Sequence, residues 1–76
     1  MGDRTVLDVR GLKCPLPVLR AGRAMRALAP GDILEIRATD PSAVADFEAF
    51  SRTTGHVLES RSEAGGVFVF VLRKSG

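Results

Sequence analysis

The residues best suited to chemistry lie in one short stretch, Arg10-Gly11-Leu12-Lys13-Cys14-Pro15-Leu16-Pro17, which holds the chain's single cysteine. A strand-like run precedes it and a helix-like run follows. Proline fixes φ and has no N–H, so it suits the first turn of a helix, whose amides lack intrahelical partners. The spacing therefore predicts Cys14 at or next to the N-cap, Pro15 at the first helical position and Pro17 two further on. Both prolines would remove donors that a helix start otherwise leaves orphaned. The amide of Leu16 and the positive end of the helix dipole are then expected to point at the thiol. A helix N-terminus and nearby cations favour thiolate over thiol. Lys13 and Arg10 supply cations in sequence, and Arg20 is a candidate in space. Cys14 thus reads as an activated nucleophile on a stiff collar. The alternative is packing, because free cysteines are among the most buried residue types. The basic flanks, the position at a helix start and the cost of a Cys-Pro-x-Pro run for a mere filler all favour chemistry.

A chain of 76 residues supports one domain, residues 1–76, with one modest core. With one cysteine there is no internal disulfide, no dithiol couple and no cysteine-rich metal cage, and one histidine, His56, adds little to a metal argument. No metal and no cofactor is expected. A free reactive thiol suits a reducing compartment, which makes the cytoplasm the expected location. Met1-Gly2-Asp3-Arg4 does not lead into an apolar signal core, Val6 breaks a lipidation pattern, and no apolar run approaches membrane-spanning length. The net charge of +2 is too small to argue for nucleic-acid binding on its own.

Positioning the collar requires a strand before it and a helix after it. Thr5 to Val9 alternates as a strand, with Leu7 and Val9 on one side and Asp8 on the other. From about Pro15 to Ala29 the apolar residues Val18, Ala21, Gly22, Met25, Leu28 and Ala29 share one helix face. Arg20, Arg23 and Arg26 share the opposite one, either a solvated surface or a docking strip for an acidic partner. Gly22 on the inner face would let this helix approach the sheet closely. Pro30-Gly31-Asp32 turns the chain, and Ile33 to Ala38 forms a second strand, parallel to the first across a right-handed crossover. Asp40 is expected to cap a second helix with Pro41 at its first position, and to lie near the thiol because both strand ends share an edge. That helix turns Val44, Phe47 and Phe50 inward, with Ala43 and Thr54 on the margin and Asp46 and Glu48 outward, and ends at Gly55. His56 to Glu63 is an edge strand, Ala64-Gly65-Gly66 a hairpin turn, and Val67 to Leu72 an interior strand. The expected sheet order is 1-2-4-3. Arg73-Lys74-Ser75-Gly76 is expected to be a frayed tail, and His56 is left outside the catalytic set. Two helices cover only one face of such a sheet, leaving some of Val67, Val69 and Val71 on the other.

The chain resembles the TusA/SirA-like sulfurtransferase family of small persulfide carriers. The resemblance is carried by Leu7-Asp8, Gly11, Cys14-Pro15-x-Pro17, Leu28, Pro30-Gly31, Asp40-Pro41, Phe50 and Gly55-His56. It implies an α+β fold, a two-layer α/β sandwich of order βαβαββ with two helices on one face of a four-stranded mixed sheet. The residue-by-residue reading points to the same architecture. The resemblance also implies that Cys14 carries sulfur as a persulfide, supported by Pro15, Pro17, Lys13, Arg10 and Asp40. Some relatives have a second cysteine where this chain has Ser51.

A single thiol suits such a carrier. A second nearby thiol would attack the persulfide and release its sulfur as hydrogen sulfide. The resemblance implies a sulfurtransferase that relays persulfide instead of turning over alone. Its implied donor is a cysteine desulfurase or a rhodanese-like protein. Its implied acceptors serve tRNA 2-thiolation, molybdenum-enzyme maturation or sulfur oxidation. A monomer without membrane or stable nucleic-acid contacts is expected. The competing readings are a noncatalytic interaction or regulatory module using the basic face of the first helix, an RNA-binding domain, and a thiol redox enzyme borrowing a partner's cysteine.

Overall fold

The computed structural model describes residues 3–76, so the reading of Met1 and Gly2 lies outside the described residues. The elements run β1 (Arg4–Val9), α1 (Leu16–Arg26), β2 (Ile33–Ala38), α2 (Ala43–Thr54), β3 (Val57–Ala64) and β4 (Val67–Arg73). The sheet order is β1-β2-β4-β3, with β1 and β2 parallel and the other pairs antiparallel. This is the expected mixed sheet in βαβαββ order. The central strands, β2 and β4, are the two whose apolar residues are most continuous. β3, paired on one side only, carries mostly exposed residues, as suits an edge.

Alternation along the strands places Leu34, Ile36, Ala38, Phe70 and Leu72 against the helices, each with no exposed surface. Ala21 and Met25 of α1 and Ala43 and Phe47 of α2 close the core from the other layer. Phe47 stacks at a tilt on Phe70 with centroids 4.8 Å apart and meets Phe50 edge-on at 6.1 Å. All four phenylalanines lie in this core or packed against it. The opposite sheet face carries half-buried Val67, Val69 and Val71. Beside them Glu35 is ion-paired with both Arg4 and Arg37.

Several expectations are corrected. α1 begins at Leu16 and ends at Arg26, not at Pro15 and Ala29. Ala43 is a core residue, 1 % exposed, instead of a marginal one. Gly22 does not serve a close approach to the sheet: a Cβ there would meet only Cε1 of Phe50, at 3.7 Å. The C-terminal segment is anchored. The Lys74 N–H donates to the Asp32 carbonyl and its own carbonyl accepts from Gly31. Its ammonium donates to the carbonyls of Met25 and Leu28 at 2.6 and 2.5 Å, which satisfies the end of α1. The Ser75 N–H donates to Nδ1 of His56 at 3.1 Å. Polarity of sequence predicted fraying; a lysine reaching carbonyls 46 and 49 residues away is invisible to it.

Candidate functional site: an exposed thiol between two helix starts

β1 and β2 run side by side in the same direction, with Val9 opposite Ala38. Both strands therefore deliver their following loops to one edge of the sheet, and those loops hold each other. Gly11, at φ +81°, donates its N–H to Oγ1 of Thr39 at 2.9 Å. The Cys14 N–H donates to Oδ2 of Asp40 at 2.7 Å, while Oδ1 of the same carboxylate accepts from the Ser42 N–H at 3.0 Å. Asp40 is thus a clamp joining the cysteine collar to the start of α2. These two charge-assisted bonds, with Lys13 nearby, hold its carboxyl below the usual range. The expected proximity of Asp40 to Cys14 is present. Its expected role as N-cap is not: Ser42 occupies that position and Asp40 sits two residues earlier, in an Asx turn.

Cys14 is exposed. The peptide bond to Pro15 is cis. Pro15 is the N-cap of α1, with φ −97° and ψ 13°, and Pro17 is the second helical residue, buried under the helix. The thiol thus stands next to the N-cap, as expected, while Pro15 takes the cap itself instead of the first helical position. The Leu16 amide, expected to face the sulfur, donates instead to the Lys13 carbonyl at 2.9 Å and closes a turn over residues 13–16. A helix start that carries prolines at N-cap and N2 and spends its Leu16 donor locally offers the sulfur little.

Of the expected cations, Arg10 is ion-paired away from the thiol, and Lys13 and Arg20 line other grooves. Arg10 makes a two-pronged pair with Asp8, Nε to Oδ1 and Nη2 to Oδ2, each at 2.9 Å. That pair lowers the Asp8 carboxyl to about 2. Lys13 lies with Asp40 in the loop cluster of Gly11, Leu12, Thr39 and Pro41. Arg20 lines a different groove with Leu7, Leu16, Leu19 and Arg23, on the β1 side of α1.

Cys14 instead lines a groove of about 320 Å³ between the two helices, with Val18, Asp46, Phe50 and Thr53 among its walls. Asp46, expected to face outward, is half-buried and lines the same groove as the thiol. As an acceptor for the S–H it pushes the thiol up, aided by partial desolvation and by the charges of Asp46 and Asp40. The predicted lowering of this thiol is therefore reversed in the empty protein. The signal for Asp46 was available in sequence only as its position in the first turn of α2, four residues after Ser42. Which way that turn faces depends on how α2 packs beside α1.

Among the described residues no three His, Cys, Asp or Glu side chains gather as a metal site, and no helix is long and apolar enough to cross a membrane. Backbone superposition finds a SirA-like protein of Desulfitobacterium hafniense with TM-score 0.81 and 21 % identity, covering 93 % of this chain and 97 % of that one, a likeness of fold. Sequence comparison finds the sulfur carrier protein TusA of Allochromatium vinosum, 48 % identical over 69 residues, 91 % of each chain. A Neisseria meningitidis protein bearing a sulfur-carrier name is 57 % identical over 67 residues, 88 % of this chain and 90 % of its own. Residues 5–74, from the first strand through the anchored lysine, match the family described as Sulfurtransferase TusA, and the chain belongs to that family.

Proposed function

We infer that this protein is a single-domain sulfur carrier that accepts sulfane sulfur on Cys14 as a persulfide and passes it to a second protein. The observation that carries the reading is an exposed lone thiol on a clamped, proline-stiffened rim. The thiolate of Cys14 attacks the outer sulfur of a donor persulfide. The donor's S–S bond breaks, the donor leaves as thiolate, and Cys14 becomes Cys–S–SH. With no second cysteine in the chain, nothing internal discharges that sulfur. Pro15 and Pro17 stiffen the rim and Asp40 fixes its height relative to α2. Lys13 balances Asp40, and Arg10 ties the start of the collar back to Asp8 at the end of β1. The donor class is a cysteine desulfurase or rhodanese-like protein in the cytoplasm. The acceptor chemistry is tRNA 2-thiolation, molybdenum-enzyme maturation or sulfur oxidation. The chain itself uses no cofactor.

The test is intact-mass spectrometry after incubation with a cysteine desulfurase and cysteine. The wild-type chain gains one sulfur atom and Cys14→Ser gains none; equal gain by both would end the proposal. A noncatalytic interaction module is the second reading, favoured by Leu16 and Leu19, 44 % and 60 % exposed beside Arg20 and Arg23. Under it, Cys14→Ser retains function in the cell.

A further inference from the structure

Two carboxylates neighbour Cys14, Asp40 on its backbone N–H and Asp46 in the groove that its side chain lines. Asp40 is committed to backbone amides on both of its oxygens. Asp46 is not required by the fold in the same way. Its own N–H serves α2 by donating to the Ser42 carbonyl at 3.1 Å, and its side chain lines the groove that contains the thiol. No arginine or lysine lines that groove. Glu48, two residues along the same helix, is paired at 3.2 Å with Arg61 of β3 and lies outside it.

We propose that Asp46 is a positioning residue for sulfur transfer, keeping the unloaded Cys14 in its S–H form within the groove between the helices until a partner sets a cationic group against the carboxylate. This inference rests on Cys14 being the sulfur-bearing residue, and it names the chemistry of the partner's contact: a lysine or arginine side chain placed at the acidic lip. Neutralising Asp46 removes both the acceptor that stabilises S–H and the negative charge that opposes thiolate. The thiol proton then passes to solvent, the thiolate bonds to the outer sulfur of the donor's persulfide as the donor's S–S bond breaks, and the departing donor thiolate takes a proton from solvent. Net, one S–H is consumed on the carrier and one is formed on the donor, with no change in electron count. The same arrangement keeps the empty carrier a poor target for stray electrophiles and oxidants, which attack thiolate. A shuttle that spends time between partners gains selectivity from that restraint.

The experiment is the pH dependence of iodoacetamide alkylation of the unloaded chain, compared among wild type, Asp46→Asn, Asp46→Ser and Glu48→Gln. Asparagine keeps the shape and removes the charge; serine, well suited to a first helical turn, serves if the asparagine variant is poorly folded. Each tenfold gain in thiolate is partly offset by lower intrinsic nucleophilicity, leaving roughly a threefold net gain in rate near neutral pH. The expected result is a downward-shifted profile and faster alkylation for both Asp46 variants, with Glu48→Gln matching wild type. Superposed wild-type and Asp46 profiles would overturn the proposal, as would an equal shift in Glu48→Gln, which would mean bulk charge alone. No sulfur donor enters this assay. Failure of sulfur loading by the wild-type chain would sink the carrier reading while leaving the alkylation result intact.

Discussion

Two glycines sit one in the middle and one at the end of the helices flanking the thiol, and replacing each with alanine should move stability in opposite directions. Gly22 lies inside α1, where glycine costs about 1 kcal/mol relative to alanine. The added Cβ would meet Cε1 of Phe50 at 3.7 Å, an ordinary van der Waals contact. Gly22→Ala should therefore stabilise by about 0.5–1 kcal/mol, a rise of roughly 2–8 °C in Tm for a domain of this size. Gly55 ends α2 at φ +81° while its N–H donates to the Ser51 carbonyl at 2.9 Å. Alanine there is strained in the left-handed region by about 1–2 kcal/mol, a fall of roughly 4–16 °C. Thermal unfolding followed by circular dichroism reads both signs. Phe50 also lines the groove at Cys14, so the alkylation rate of Gly22→Ala should match wild type if the ring stays in place. A lower Tm for Gly22→Ala would refute the reasoning, because it would mean that the two helices meet too closely there for a methyl group.

Lys74→Met keeps the apolar stem but loses the bonds to the carbonyls of Met25, in the last turn of α1, and Leu28, just beyond it; the half-buried ammonium makes this worth about 1–2 kcal/mol, and amide exchange should accelerate in the final turn of α1. In acid, Asp8, Asp32, Glu35 and Asp40 all hold their protons less tightly in the folded chain than in the unfolded one. The unfolded state then binds more protons, so stability is present above the ordinary carboxylate range and is lost as pH falls. For Asp8 that window runs from 3.8 to about 2. Urea midpoints measured from pH 6 downward should decline across that range, and a flat profile would contradict the ion-pair geometry. Cys14→Ser should leave the unfolding midpoint within about 0.5 kcal/mol of wild type, because the side chain is exposed and the Asp40 clamp binds the backbone.

Much of the architecture was readable along the chain because it is local. Period-two alternation in Ile33–Ala38 and the unbroken apolar run from Val67 told central strands from the polar edge strand. Gly55 marked the end of α2, and the Cys-Pro-x-Pro run marked where β1 gives way to α1 with an exposed thiol between them. The neighbourhood of Asp40 and Cys14 followed from topology, since two parallel adjacent strands release their loops at the same edge. What the chain order could not reveal was the electrostatic sign of the site. Arg10 and Lys13 are adjacent to Cys14 in sequence, yet one turns back to Asp8 and the other lies with Asp40. The carboxylate that shares the thiol's groove arrives from a helix that begins 29 residues later. Charge acts through distance in space, and that distance is set only when α2 packs against α1 and the sheet. Residue order determined that a lone cysteine would stand on a proline-bearing rim between β1 and α1; tertiary packing decided that Asp40 and Asp46 would be its charged neighbours.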